Sequence, residues 1–403
     1  MSEENKDPYV GTIRVTGKGV GYFSLPAEAS AKVGLLPNED FEIPPEQVNT
    51  ALNRDTVRIE DLRKTSPYGR KLAKVAEVIE RHKTEFVGTL DDGFLVPDNK
   101  RMYRDIFVED TKGAKNGDKI QVKITSWEDA AKSPKGELVR VIGRAGEHNA
   151  EMLGIVYDSG FEIDFPAEVE KEADEWKKKF DKEDHTKNRR DFSSTTTFTI
   201  DPADAKDFDD AISIKTFEGG DYEIGIHIAD VSHFVVPGTA LDKEARKRGT
   251  SIYLVDRTIP MLPEVLSNDL CSLNPNEPKY AFSAVFVMSK EGRVKERWFG
   301  RTLIESDKRF TYEEAQETLD EGSGQYYEEL KTLNEIAYKL REEKFKKGAI
   351  DFETEEVKFE LDPAGKPVRV FERALEHRHE RFCVFAFCQI GEDAAILRMK
   401  SRL

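Results

Sequence analysis

The sequence predicts a multidomain α+β protein, with two small OB-fold, cold-shock-like β-barrels followed by a larger domain of mixed strands and helices. Three observations predict it. The chain has 403 residues, too many for one ordinary domain. Up to Arg144 it reads as short alternating strands with turn residues every ten or so positions. Beyond Asp191 apolar strands alternate with amphipathic helices.

The first block spans residues 9–80. Gly11–Gly17 and Lys18–Leu25 read as strands joined at a glycine turn, Phe41–Pro44 as a short extended piece, and Thr56–Glu60 as a period-two strand. The second block, residues 81–145, repeats the plan. Its strands are Phe86–Leu90, Gly93–Pro97, Asp105–Val108, Lys119–Trp127 and Glu137–Gly143, with Asn116-Gly117-Asp118 as a turn. The shared layout suggests two five-stranded OB-type barrels.

Residues 146–191 form a charged connector. Pro166 to Arg190 holds eight acidic and eight basic residues around Trp176 and Phe180, which predicts a solvated helix laced with ion pairs and no chemistry. Residues 192–403 form the α/β part. Thr195–Ile200, Ala211–Ile214 and Tyr222–Ile228 are strands, and Tyr312–Asp320 is helical. A longer helix over Tyr327–Lys347 carries the apolar stripe Leu330, Leu333, Ile336, Ala337 and Leu340.

Composition narrows the function. The net charge of −16 argues against coating nucleic acid by bulk charge, although a local basic path is compatible with it. No apolar run approaches the ~20 residues of a membrane span, and the polar start is not a secretory signal. Three cysteines make no disulfide framework, so a reducing cytoplasm is the expected compartment. Nothing calls for an obligate protein partner.

The most informative stretch is the loop from Asp201 to Asp210, with five aspartates in ten residues between two apolar strands. Two carboxylates about 4 Å apart repel by about 4 kcal/mol at an effective dielectric of 20. A loop pinned between strands cannot open far, and a hard divalent cation removes the conflict. The plain alternative is a solvated turn. The bracketing strands, and a Phe208 placed to bury between the acids, weigh against it. The EF-hand spacing is missing. The residues by themselves give an acidic metal site suited to phosphate chemistry.

Asp201-Pro-Ala-Asp-Ala-Lys-Asp-Phe-Asp-Asp-Ala211 resembles the signature of the RNB family of exoribonucleases, the ribonuclease II and ribonuclease R group. Further blocks agree in order: Ile226–His233, Leu241–Tyr253, Ile259–Pro275 and Asp351–Glu356. The resemblance covers Tyr9 to Arg373, including the two barrels. It implies a hydrolytic 3′→5′ exoribonuclease that degrades single-stranded RNA to nucleoside 5′-monophosphates with Mg²⁺, one or two ions, or with Mn²⁺ in its place. The catalytic aspartates would be Asp201, Asp207, Asp209 and Asp210. Of these, Asp201, Asp207 and Asp210 would build the metal site, and Asp209 would orient the terminal nucleotide or the water. Tyr253, Tyr312 and Phe352 match aromatics that clamp the last bases. In the first barrel Tyr22 would stack a base beside Lys18. In the second, Phe94 and Phe107 are candidates for stacking, and Arg101, Arg104 and Lys112 for phosphate. Core packing is the competing role for each aromatic.

From about residue 374 the pattern breaks. The family's Ser-Pro-Ile-Arg-Arg segment and final RNA-binding domain have no counterpart here, and the tail is rich in His, Cys and Phe. A zinc reading of His377, His379, Cys383 and Cys388 has unusual spacing. The expectation is a truncated enzyme, weak or inactive alone. The alternative is a non-catalytic RNA-binding protein or pseudoenzyme fragment.

Overall fold

The computed structural model describes residues 9–25, 40–182, 184–350, 356–363 and 365–373. Phe352, the tail from 374 and its His/Cys set lie outside the described residues. The chain forms two compact units with a boundary between Ile163 and Asp164.

The first unit contains two closed five-stranded barrels. Barrel one consists of β1 (Val10–Val15), β2 (Gly21–Ser24), β3 (Asp40–Ile43), β4 (Thr56–Thr65) and β5 (Lys71–Glu80). Barrel two consists of β6 (Glu85–Asp91), β7 (Phe94–Pro97), β8 (Ile106–Val108), β9 (Asp118–Ser126) and β10 (Lys135–Arg144). The strand orders β1-β2-β3-β5-β4 and β6-β7-β8-β10-β9 are the same circuit, and in each barrel the third strand meets the fifth in parallel. Period-two alternation sends Ile13, Val15, Phe23, Phe41, Ile43, Val57 and Ile59 into one core. Phe86, Leu90, Leu95, Ile106, Ile120 and Val122 fill the other. Gly88 permits the close pairing of β6 and β7, since a Cβ there would lie 2.1 Å from the Val96 carbonyl oxygen.

The charged segment after barrel two departs from the solvated helix expected. It forms α1 (His148–Asp158) in the first unit and α2 (Ala167–Phe180) in the second. Val169, Ala173 and Phe180 of α2 are buried, and Lys177 pairs with Asp269 at 2.9 Å. With the partly buried Trp176 these three apolar residues form a stripe at i, i+4, i+7 and i+11, which was hidden by the many charges on the other faces.

The second unit is built on a seven-stranded sheet of β11 (Arg190–Asp191), β12 (Thr197–Asp201), β13 (Asp210–Thr216), β14 (Tyr222–Ala229), β17 (Pro278–Met288), β18 (Val294–Glu305) and β19 (Lys308–Thr311). The short strands β15 (Ile252–Tyr253) and β16 (Thr258–Ile259) pair beside it. The sheet order is β11-β18-β17-β14-β13-β12-β19, antiparallel except for the outer pairs β11–β18 and β12–β19. One apolar layer gathers α2, α3 (Val231–Phe234) and α4 (Ala240–Arg248) around Phe234, Leu241 and Tyr280. The other gathers α5 (Tyr312–Glu321) and α6 (Tyr327–Lys346) around Phe198, Phe286 and Phe310. A hairpin of β20 (Glu356–Leu361) and β21 (Pro367–Arg373) follows. Among the described residues no helix is long and apolar enough to cross a membrane.

Candidate active site

The acidic loop leaves the end of β12 at Asp201 and returns as β13 at Asp210. Its backbone is tied down along its length. Phe208 is buried, its N–H donates to Ser272 Oγ at 3.0 Å, and its carbonyl accepts from Leu273 N at 2.9 Å. The Ser272 hydroxyl donates in turn to the Lys206 carbonyl at 3.1 Å. The Asp209 carbonyl accepts from Ala229 N at 2.9 Å. Near the start of the loop, Arg309 Nη2 donates to the carbonyls of Pro202 and Ala203 at 2.8 and 2.7 Å. The alternation that buries Phe208 therefore turns Asp207 and Asp209, its two chain neighbours, away from the core.

The carboxylates act on one another. Burial, the charge of Asp210 and, more weakly, that of Asp209 push the Asp201 carboxyl up to about 6, against the opposing pull of the neighbouring Thr199 hydroxyl and then of Arg309. Asp209 is also pushed up to about 6, by desolvation and then by Asp207 and Asp210. Its side chain nonetheless reaches water, which screens part of that cost. Asp201 Oδ2 is buried with no hydrogen-bond partner, an expensive state for a carboxylate oxygen. Among the described residues, however, no three or more His, Cys, Asp and Glu side chains gather closely enough to hold a metal ion. The four aspartates share one electrostatic neighbourhood without forming a ready cage, as mutual repulsion dictates.

The other candidates fall as follows. Tyr253, on β15, is 69% exposed and its hydroxyl lies 3.5 Å from Asp207 Oδ2. Its pKa is raised by partial burial and then by the charges of Asp207 and Asp209. Tyr312 begins α5 immediately after Thr311, the register partner of Asp201, so it enters at the same end of the sheet as the loop. Asp204 is exposed. Tyr22 and Lys18 belong to the first unit. Tyr22 has Arg14 and Arg70 guanidinium carbons 4.8 and 5.2 Å from its ring centroid, and Lys18 is exposed in the adjoining turn. Phe94 and Phe107 are register partners with ring centroids 5.4 Å apart, and Phe107 is exposed. Sequence reasoning missed Arg14, Arg70, Ser272 and Arg309. Arg14 and Arg70 carry no spacing signature. Ser272 lies inside the quoted Ile259–Pro275 block, and Arg309 lies two residues before the capping box Thr311/Glu314, so both had nearby markers.

The chain is similar to known proteins over both of its units. The RNB domain model matches residues 189–386 and the cold shock domain model residues 94–166. The ribonuclease R of Thermotoga maritima is 36% identical over 90% of this chain and 53% of its own length. The structure of Mycoplasma genitalium RNase R in complex with ribose-methylated single-stranded RNA superposes with a TM-score of 0.82 at 25% identity, over 93% of this chain and 59% of that one. Yeast Ssd1, a pseudonuclease, shares the fold at a TM-score of 0.60 and 20% identity, over 84% of this chain and 48% of its own. The chain spans about half the length of the relatives it matches. With cold-shock barrels preceding an RNB domain whose sheet presents the acidic loop, the chain belongs to the RNB family.

Proposed function

We propose that this chain carries the site of a hydrolytic 3′→5′ exoribonuclease that removes nucleoside 5′-monophosphates from single-stranded RNA with Mg²⁺. The observation that carries the reading is the tethered loop with mutually repelling aspartates and the unpartnered, buried Asp201 Oδ2. Hard oxygen donors of this kind fit Mg²⁺ or Mn²⁺, and Asp201, Asp207 and Asp210 are the residues to hold it. A bound divalent ion supplies Lewis acidity toward a phosphoryl oxygen and lowers the pKa of water. The rest is the work of the chain. Asp209, left partly open to solvent, accepts a hydrogen bond from the attacking water or the terminal ribose. Tyr253 offers an exposed ring beside Asp207, against which the last base packs. The loop tethers keep these groups from relaxing apart when substrate charge arrives. In the first unit Tyr22, flanked by Arg14 and Arg70, and the Phe94–Phe107 pair offer sequence-tolerant stacking next to cations, as single strands require.

The test is incubation of the purified 403-residue chain with 3′-labelled RNA. Mg²⁺-dependent release of mononucleotides, abolished by chelator and by Asp209→Asn, supports the reading. A second reading is a non-catalytic RNA-binding protein. The missing ready-made cage among the described residues favours it. It predicts salt-sensitive RNA retention with no mononucleotide release at any Mg²⁺ concentration.

A further inference from the structure

Arg309 stands on β19 in register with Thr199, two residues before the end of β12, on the strand edge from which the acidic loop departs. Ile200 and Phe310 turn into the apolar layer under α5 and α6, so Thr199, Asp201 and Arg309 face the opposite side. Arg309 commits Nη2 to two consecutive loop carbonyls, those of Pro202 and Ala203. The Pro202 carbonyl also accepts from Ala205 N at 3.1 Å, closing the first turn of the loop. The guanidinium carbon lies 4.9 Å from the ring centroid of Phe208, the residue between Asp207 and Asp209. One side chain thus touches both arms of the loop. Its Nε is buried and unpartnered, as is Asp201 Oδ2 nearby, and the two make no hydrogen bond with each other.

A salt bridge from Arg309 to Asp201 would satisfy both orphans, and its absence is informative. The Pro202 and Ala203 carbonyls hold Arg309 Nη2 on the backbone, so the guanidinium does not pair with Asp201 Oδ2. We propose that Arg309 is a positioning residue for the acidic loop: it clamps the first turn and the Phe208 ring, and so fixes Asp201 on one arm relative to Asp207 and Asp210 on the other, the carboxylates assigned to the cation. This rests on the proposed function for the identity of the cation, and on the geometry alone for the clamp.

A lysine keeps the charge but cannot present a planar donor fork or lie flat on a ring. The experiment therefore compares wild type, Arg309→Lys and Arg309→Met in the full chain by three readouts. The first is hydrogen–deuterium exchange of the peptide covering Ala203–Asp210. The second is Mn²⁺ binding by titration calorimetry without RNA. The third is the split between kcat and KM on single-stranded RNA. The expected result is faster exchange in that peptide for both variants, with barrel peptides unchanged. Mn²⁺ affinity and kcat should fall about 10–100-fold for Arg309→Met, as for residues that orient metal ligands, with KM little changed and Arg309→Lys in between. Unchanged exchange in Arg309→Met overturns the clamp. Tighter Mn²⁺ binding by Arg309→Met also overturns it, because Arg309 would then act only as a competing charge. If wild type neither binds Mn²⁺ nor releases mononucleotides, the functional reading fails instead, and the exchange data still decide the clamp.

Discussion

The two units use aromatic residues in opposite ways. In the barrels Tyr22 and the Phe94–Phe107 pair lie outward, and Tyr22 has arginines within about 5 Å, the arrangement for holding a strand by stacking and charge. At the acidic loop Phe208 points inward and anchors the backbone, while Asp209 and the exposed ring of Tyr253 face solvent. The difference teaches how an acidic protein can handle a polyanion. On the proposed function, affinity is delegated to local cationic stacks and the negative cluster serves as the cation site.

The largest expected break in that comparison is Asp209→Asn. It should lower kcat by on the order of 10²–10³ or more, while RNA affinity measured by filter retention stays put. Equal losses in binding and turnover would mean that the division of labour is wrong. Tyr253→Ala should come next, raising KM on RNA about 5- to 100-fold through loss of one stacking contact. Tyr253→Phe should nearly restore it, because the 3.5 Å contact to Asp207 is too long to carry much energy.

On the barrel side, Tyr22→Ala combined with Phe107→Ala should weaken long RNAs by about 1–3 kcal/mol per lost stack and leave turnover of a tetranucleotide unchanged. Arg14→Ala and Arg70→Ala should each reduce the salt slope of binding by about one. A fall in tetranucleotide turnover would show that the units are not separable in function.

The smallest effect is on stability. Asp201 and Asp209 titrate near 6 in the folded chain and near the ordinary aspartate value when unfolded. Between about pH 4 and 6 the folded state therefore holds more protons. The stability these groups lend is present below pH 4 and is lost as pH rises through 6. Without metal the second unit should lose on the order of 1–2 kcal/mol across that window, after allowance for the water around Asp209. Asp209→Asn should recover part of it, as a Tm gain of about 2–4 °C at pH 7.5 in chelator. Added Mg²⁺ should stabilise wild type more at pH 7.5 than at pH 5, which differential scanning calorimetry reads directly.

Much of this was legible in the residues. Both barrels follow from period-two alternation, and nine of their ten strands coincide with segments predicted. The exception, β5, carries register shifts that break its alternation against β4. In the second unit β17 escaped because a central strand buried on both faces shows an apolar run instead of a period. The buried face of α2 was hidden by its sixteen-charge surroundings. The acidic loop was conspicuous because five like charges in ten residues have no cheap structural role. Arg309 was invisible because its function comes from strand register: only the pairing of β19 with β12 brings it beside residues more than a hundred positions away. Phe352, which completes the predicted aromatic set, falls outside the described residues.

The most direct test of the central claim is a single-turnover assay of the purified chain on 3′-labelled single-stranded RNA, titrated with Mg²⁺, beside Asp209→Asn. The account predicts labelled nucleoside 5′-monophosphate as the first product, saturating with Mg²⁺ and lost in the variant. RNA bound tightly by both proteins and left intact at every Mg²⁺ concentration would contradict it.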